Sequence, residues 1–257
     1  MDLFLVYILI SIFLGGLVRT YFGFGEALVS MPLLALIGLN LHTSISLVGL
    51  AGLTVASLNI FLDYRNIKIK VLLLMLLGSL LGVPLGILIL QYIATSFIQI
   101  MLGLFLILYG IYAFGKITFF KNRYNIILKS NIWPSLTGMI SGVLGSLYNS
   151  HGVPVVIYGT MAPWHIKDFR STIQAHFLIT AIFVVIGQAS GGIWTSQTVS
   201  LFLLSIPCLI ISVVVGKYLI NHTTYHNFEK WIYLFIIILG FLLLLIWKSK
   251  GRIDFYV

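Results

Sequence analysis

The sequence predicts an all-α polytopic membrane protein, and three observations carry that prediction. Of its 257 residues 60% are hydrophobic and only 8% charged, whereas an ordinary soluble domain is roughly 45–50% apolar and about 25% charged. The apolar residues fall into continuous runs of about the 20 residues a spanning helix needs, not the shorter alternating runs of a barrel strand. The charges sit in short connectors between those runs. A water-soluble globule of this size cannot bury so many apolar residues, because its large surface demands polar cover. Soluble enzymes, nucleic-acid binders and disordered chains are therefore excluded, and the lipid bilayer is the expected surroundings.

Eight runs reach spanning length: residues 3–19, 44–62, 71–92, 97–114, 132–148, 169–189, 199–220 and 228–247. The first follows Met1-Asp2 without a basic stretch or a small-residue cleavage site, so it reads as a retained span and not a signal peptide. Two further stretches, 27–39 and 153–162, are too short for comfortable spans. Each follows a Gly- or Asn-rich break and holds a proline, Pro32 or Pro154.

The longest and most basic connector, 116–130, divides the chain into an N-terminal repeat, 1–115, and a C-terminal repeat, 131–257. Gly86, Ile98 and Gly110 correspond to Gly216, Phe228 and Gly240 at a constant offset of 130, and Gly16 and Pro32 correspond to Gly142 and Pro154 with small gaps. This ordered set predicts an internal duplication: four long spans plus one short Gly/Pro-broken helix in each half. If the short segments do not cross the bilayer, ten of the fifteen Lys and Arg residues share one face. If they do cross, twelve share it and the repeats are inverted. The second partition obeys the positive-inside rule better and is favoured. The net charge of +9 is thereby assigned to topology and not to nucleic acid.

No G-x-x-x-x-G-K-[ST] pattern or soluble nucleotide domain is present, so the chain does not drive transport with its own ATP hydrolysis. The single cysteine, Cys208, offers neither a disulfide framework nor a cysteine metal site. His222 and His226 have i,i+4 spacing but no third ligand. No cofactor and no metal are expected.

The breaks carry the chemistry. In lipid, non-helical backbone persists only where it is buried or lines a cavity. The first break reads Arg19-Thr-Tyr-Phe-Gly23-Phe-Gly25-Glu26; the second runs from Gly142 and Gly145 to Asn149-Ser150-His151-Gly152. Each is followed by a short helix whose N-terminus favours an anion through free amides and dipole. Two matched breaks point to a binding site between repeats, although glycines also permit close helix packing, as in Gly82-x3-Gly86, Gly138-x3-Gly142 and Gly187-x3-Gly191. Arg19 can fork onto an oxyanion or snorkel to the interface. Glu26 is a candidate for proton coupling, or a first-turn partner of the dipole and of Arg19. His151 can change charge near neutral pH. Arg170, Ser171, Thr172, Gln174 and His176 form a polar stripe that faces either a site or neighbouring helices.

On these residues the chain resembles the sulfite exporter TauE/SafE family, duplicated membrane transporters of sulfur-containing and related organic anions. The resemblance rests on Gly16-x6-Gly23-Phe24-Gly25 with Pro32, on Gly142-x2-Gly145 with Gly152-Val153-Pro154 and Tyr158, and on Lys167-Asp168-Phe169-Arg170-Ser171-Thr172. It covers essentially the whole chain. Glu26 departs from it, standing where the family often has glycine or a small residue, and Asn149, Ser150, His151 and Val153 interrupt a denser glycine run.

The expectation is a secondary transporter of a small anion, with sulfite or an organosulfonate suggested by the resemblance. Gly23, Gly25 and Gly152 would hold the oxyanion with their amides. Arg19 or Arg170 would supply charge, while Asn149, Ser150, His151, Thr172 and His176 would shape recognition. An intramembrane enzyme built on His151, His176 and Glu26, and a passive anion channel, are the rival readings.

Overall fold

The structure, a computed structural model, describes residues 3–59, 66–118, 128, 130–162, 164–222 and 225–253. These residues form ten helices in order: α1 (Leu3–Phe22), α2 (Glu26–Leu36), α3 (Leu41–Leu58), α4 (Ile69–Tyr92), α5 (Thr95–Thr118), α6 (Ile132–Tyr148), α7 (Gly152–Met161), α8 (Ile166–Ser190), α9 (Thr198–His222) and α10 (Tyr225–Ile253). Among the described residues there is no strand. Among the described residues six helices, α1, α3, α4, α5, α8 and α9, are long and apolar enough to cross a membrane. The 11-residue α2 and 10-residue α7 rise about 15 Å at 1.5 Å per residue, half of a bilayer core.

The span expected from residue 44 begins earlier, at Leu41. Asn40 is the reason: its Oδ1 accepts from the amides of His42 and Thr43 at 2.9 and 3.3 Å, which caps the helix start. Most of the basic connector, 119–127 and 129, and residues 60–65 of the preceding one lie outside the described residues.

Side-chain contacts fix the helix directions. Gly16 meets Ser212 and Gly216 meets Thr20, so α1 runs parallel to α9. Ser46 and Thr198 share a hydrogen bond at 2.7 Å, and Lys217 Nζ donates to the Leu58 carbonyl at 3.4 Å, so α3 is parallel to both. Ser79 donates to the Gly138 carbonyl and Ser146 to that of Val83, each at 3.0 Å; α6 is therefore parallel to α4. Gly187 packs on Val83, and Gln91 donates to the Gly191 carbonyl, which aligns α8 with them. Thr43 bonds Thr195 at 2.9 Å while Gly49 faces Gln188, so α8 opposes α3. Thus α1, α3 and α9 run one way and α4, α6 and α8 the other.

Each short helix folds back on its predecessor. Ser30 on α2 donates to the Ser11 carbonyl of α1 at 2.9 Å, and Ser141 on α6 donates to the His151 carbonyl before α7 at 2.6 Å. Because α1 and α6 run in opposite directions, the two hairpins enter the bundle from opposite ends. At one end, Lys68 pairs with Asp168 at 2.9 Å and Lys116 donates to Thr160 at 2.7 Å. The described parts of the basic connectors gather there.

Small residues set how closely the long helices approach. A Cβ on Gly78, Gly82, Gly138 or Gly142 would run into the backbone of the facing helix in the α4–α6 pair. Gly103 and Gly240 perform the same service between α5 and α10. In lipid, where burial between apolar surfaces gains little, such close backbone packing supplies much of the association.

Candidate functional site

The chain turns between α1 and α2 on Gly23 and Gly25, whose φ values of 83° and 97° lie where a side chain is strained. Arg19 sits in the last turn of α1, which continues to Phe22, and Glu26 opens α2. The turn brings them together: both Glu26 carboxylate oxygens lie 2.5 Å from Nη1 of Arg19. Both residues are 3% exposed. Nη2 of Arg19 is buried with no partner.

The second turn is made by Asn149, the single described non-glycine residue with positive φ, at 56°. Its side chain is held twice: Nδ2 donates to the Ile45 carbonyl at 2.7 Å, and Oδ1 accepts from Gln188 Nε2 at 3.2 Å. Ser150 and His151 follow, both 4% exposed, and Gly152 begins α7. The His151 ring stands edge-on to Phe177, centroids 5.7 Å apart, and its Nδ1 is buried without a partner. Neither α2 nor α7 has a side-chain cap at its N-terminus. The Leu28 and Val153 amides donate to the Gly25 and Ser150 carbonyls, and Pro154 has no N–H. The positive dipole ends and the amides of the opening residues Glu26 and Gly152 are therefore what the two helices offer to another acceptor.

The two turns line one small cavity. Arg19, Gly25 and Glu26 border it from the first and Asn149, Ser150, His151 and Gly152 from the second, with Phe24 and Phe177 across it. Both turns pack on the middle of α3, where Gly49 faces Asn149 and Gly52 faces the Glu26 carboxylate. A side chain at Gly52 would overlap Oε1 of Glu26.

Other expected site residues lie outside this lining. Gly23 is held from α8, where Gln174 Nε2 donates to its carbonyl at 3.4 Å. Thr172 Oγ1 accepts from the Lys68 amide at 2.9 Å and so serves the start of α4. His176 is fully buried, with Nε2 3.0 Å from Ser79 Oγ and 3.1 Å from Thr180 Oγ1. Its ring touches Phe177 on centroids 6.3 Å apart, so Phe177 contacts both histidines. The side chain of Arg170, like that of His226, lies outside the described residues. Gly142 and Gly145 lie within α6 and do not break it: Gly142 packs on the α4 backbone and Gly145 on His151 and Val184. Among the described residues no three His, Cys, Asp or Glu side chains form a metal-sized group.

Sequence reasoning missed Phe24, Phe177 and Gln188. Phe24 and Phe177 have no polar signature, and their place depends on how α8 docks on the turns. Gln188 was legible in principle, as an amide inside an apolar run.

The chain matches the family described as sulfite exporter TauE/SafE over residues 8–251. No curated protein and no solved structure matches it.

Proposed function

The chain belongs to the sulfite exporter TauE/SafE family, and from that premise we propose that it is a secondary transporter exporting a small sulfur-bearing anion such as sulfite or an organosulfonate. One observation carries the reading. Two interrupted hairpins from opposite ends of the bundle share a cavity bordered by Arg19 and His151, each with a buried unpartnered nitrogen, and by the starts of two helices without side-chain caps. Such a set is matched to an oxyanion: Arg19 supplies charge, the amides at Gly25 and Gly152 supply donors, and Asn149, Ser150 and His151 shape the guest.

The reading includes two inverted repeats, 1–115 and 131–257, flanking the connector 116–130. In support, α1 packs on α9 as α6 packs on α4, while α3 meets α8 and α5 meets α10. That is the pattern expected if α1–α5 correspond to α6–α10. Rocking of one repeat against the other would expose the cavity to each side in turn. By the positive-inside rule the end bearing Lys68, Lys116 and Lys217 is cytoplasmic. Thr172 belongs to the framework of this site, and Arg170 and His176 are held in reserve as recognition residues.

Counterflow tests the proposal. Vesicles containing the protein and preloaded with sulfite or methanesulfonate are expected to accelerate uptake of the labelled anion, which a carrier does and a channel does not. His151→Ala is expected to weaken half-saturation about tenfold, the loss of roughly one hydrogen bond to a charged group. Absence of any anion flux, flux without trans-stimulation, or chelator-sensitive chemistry in its place would refute it.

A further inference from the structure

Resting on the transport reading above, we infer that Glu26 is a tethered stand-in for the substrate's negative charge, and that an anion takes Arg19 from it only as Glu26 takes up a proton. The geometry comes first. Glu26 places both oxygens on Nη1 of Arg19, so only Nη2, buried and unpartnered, still faces an arriving guest. An oxyanion that takes the end-on fork uses Nη1 together with Nη2, and in doing so displaces the carboxylate from Nη1. The fold makes room for the paired state: Gly52 on α3 leaves free the volume that Oε1 occupies beside Arg19.

Charge conservation supplies the second step. Arg19 and Glu26 together are neutral. The titratable neighbours are His151 from the second turn, His176 on α8 beyond Phe177, and Tyr233 on α10, which lines an adjoining cavity with Phe24 and Gly25. His151 is the one neighbour that could take a proton in its place, and Glu26 is the group the anion displaces. Among the described side chains the other carboxylate is Asp168, paired with Lys68 at the basic end, where Lys116 and Lys217 also lie. A bound anion beside an ionised Glu26 would thus leave an unbalanced buried charge, which a protein interior does not tolerate. One proton on Glu26 restores neutrality for one monoanion.

Release follows from the same pair. When Glu26 loses its proton it returns to Arg19 and expels the anion, so the guest is not trapped on a buried guanidinium. Binding tightens as pH falls and weakens as it rises, because the proton enters with the anion.

The test uses purified full-length protein in weak buffer and methanesulfonate, whose own charge is the same at every pH used. The wild type is expected to take up close to one proton per anion bound, and its affinity to fall toward tenfold per pH unit. Glu26→Gln is expected to bind methanesulfonate with no proton uptake and a flat pH profile. In sealed vesicles its uptake should follow membrane potential instead of a pH gradient. Binding by the wild type without proton uptake overturns the inference and needs no variant. Proton uptake that persists in Glu26→Gln overturns it too, with His151 then the nearest acceptor. If an aminosulfonate zwitterion binds and methanesulfonate does not, the inference fails while the transport reading stands. If neither sulfite nor any sulfonate binds the wild type, the transport reading itself fails.

Discussion

Replacing Arg19 with alanine is expected to abolish binding of sulfite and methanesulfonate and to destabilise the fold by about 3–5 kcal/mol. The energetic part follows from burial: Glu26 would lose its partner at a site 3% exposed, and breaking one side of a buried ion pair costs about that much. The binding part follows from the cavity, where Arg19 supplies the cationic side chain among the lining residues. A single substitution mixes the two effects, so the double variant Arg19→Gln/Glu26→Gln separates them. It removes both charges at nearly constant shape and is expected to melt close to the wild type while still failing to bind. Thermal unfolding in detergent, with and without anion, reads both quantities. Wild-type affinity in the stable double variant would remove Arg19 from the site.

The second large effect lies outside the cavity lining. Gly138→Leu is expected to prevent folding, and Gly138→Ala to cost about 1–3 kcal/mol, the usual range for overpacking. A Cβ at Gly138 overlaps the Met75 carbonyl, and Gly82 and Gly142 are confined by backbone in the same way, so α4 and α6 can make room only by separating along their length. That separation also loosens the second turn, because Ser79 bonds Gly138 and Ser146 bonds Val83 across this interface. Gly115 in α5 is the control. No atom lies within 4 Å of a Cβ there, and Gly115→Ala should be neutral or stabilising by up to about 1 kcal/mol. Retention of the wild-type melting temperature by Gly138→Leu would contradict the packing account.

What the sequence made legible follows from which forces act locally. Spans were readable because length and apolarity are one-dimensional, and 132–148 coincides with α6. The first break was readable because two glycines in a row of three weaken a helix and admit the positive φ that a tight turn uses. The second was placed too broadly: Gly142 and Gly145 looked like break residues, yet a helix with small residues on one face serves close packing just as well. Only Asn149, held by Ile45 and Gln188 from other helices, ends α6, and those partners lie about 104 and 39 residues away in the chain. For the same reason Thr172 looked like a ligand from its stripe, although it serves the Lys68 amide across the bundle. The pairing of Arg19 with Glu26 was open to sequence reasoning at a separation of seven residues. That the pair faces His151 was not, because it depends on two hairpins inserted from opposite ends.

The most direct measurement is the structure of the protein with methanesulfonate bound. The sulfonate is predicted between the two turns, its oxygens within hydrogen-bond distance of Arg19 and of the amides that open α2 and α7, with Glu26 moved off the guanidinium. A sulfonate held elsewhere in the bundle, with Arg19 still closed on Glu26, would contradict the account.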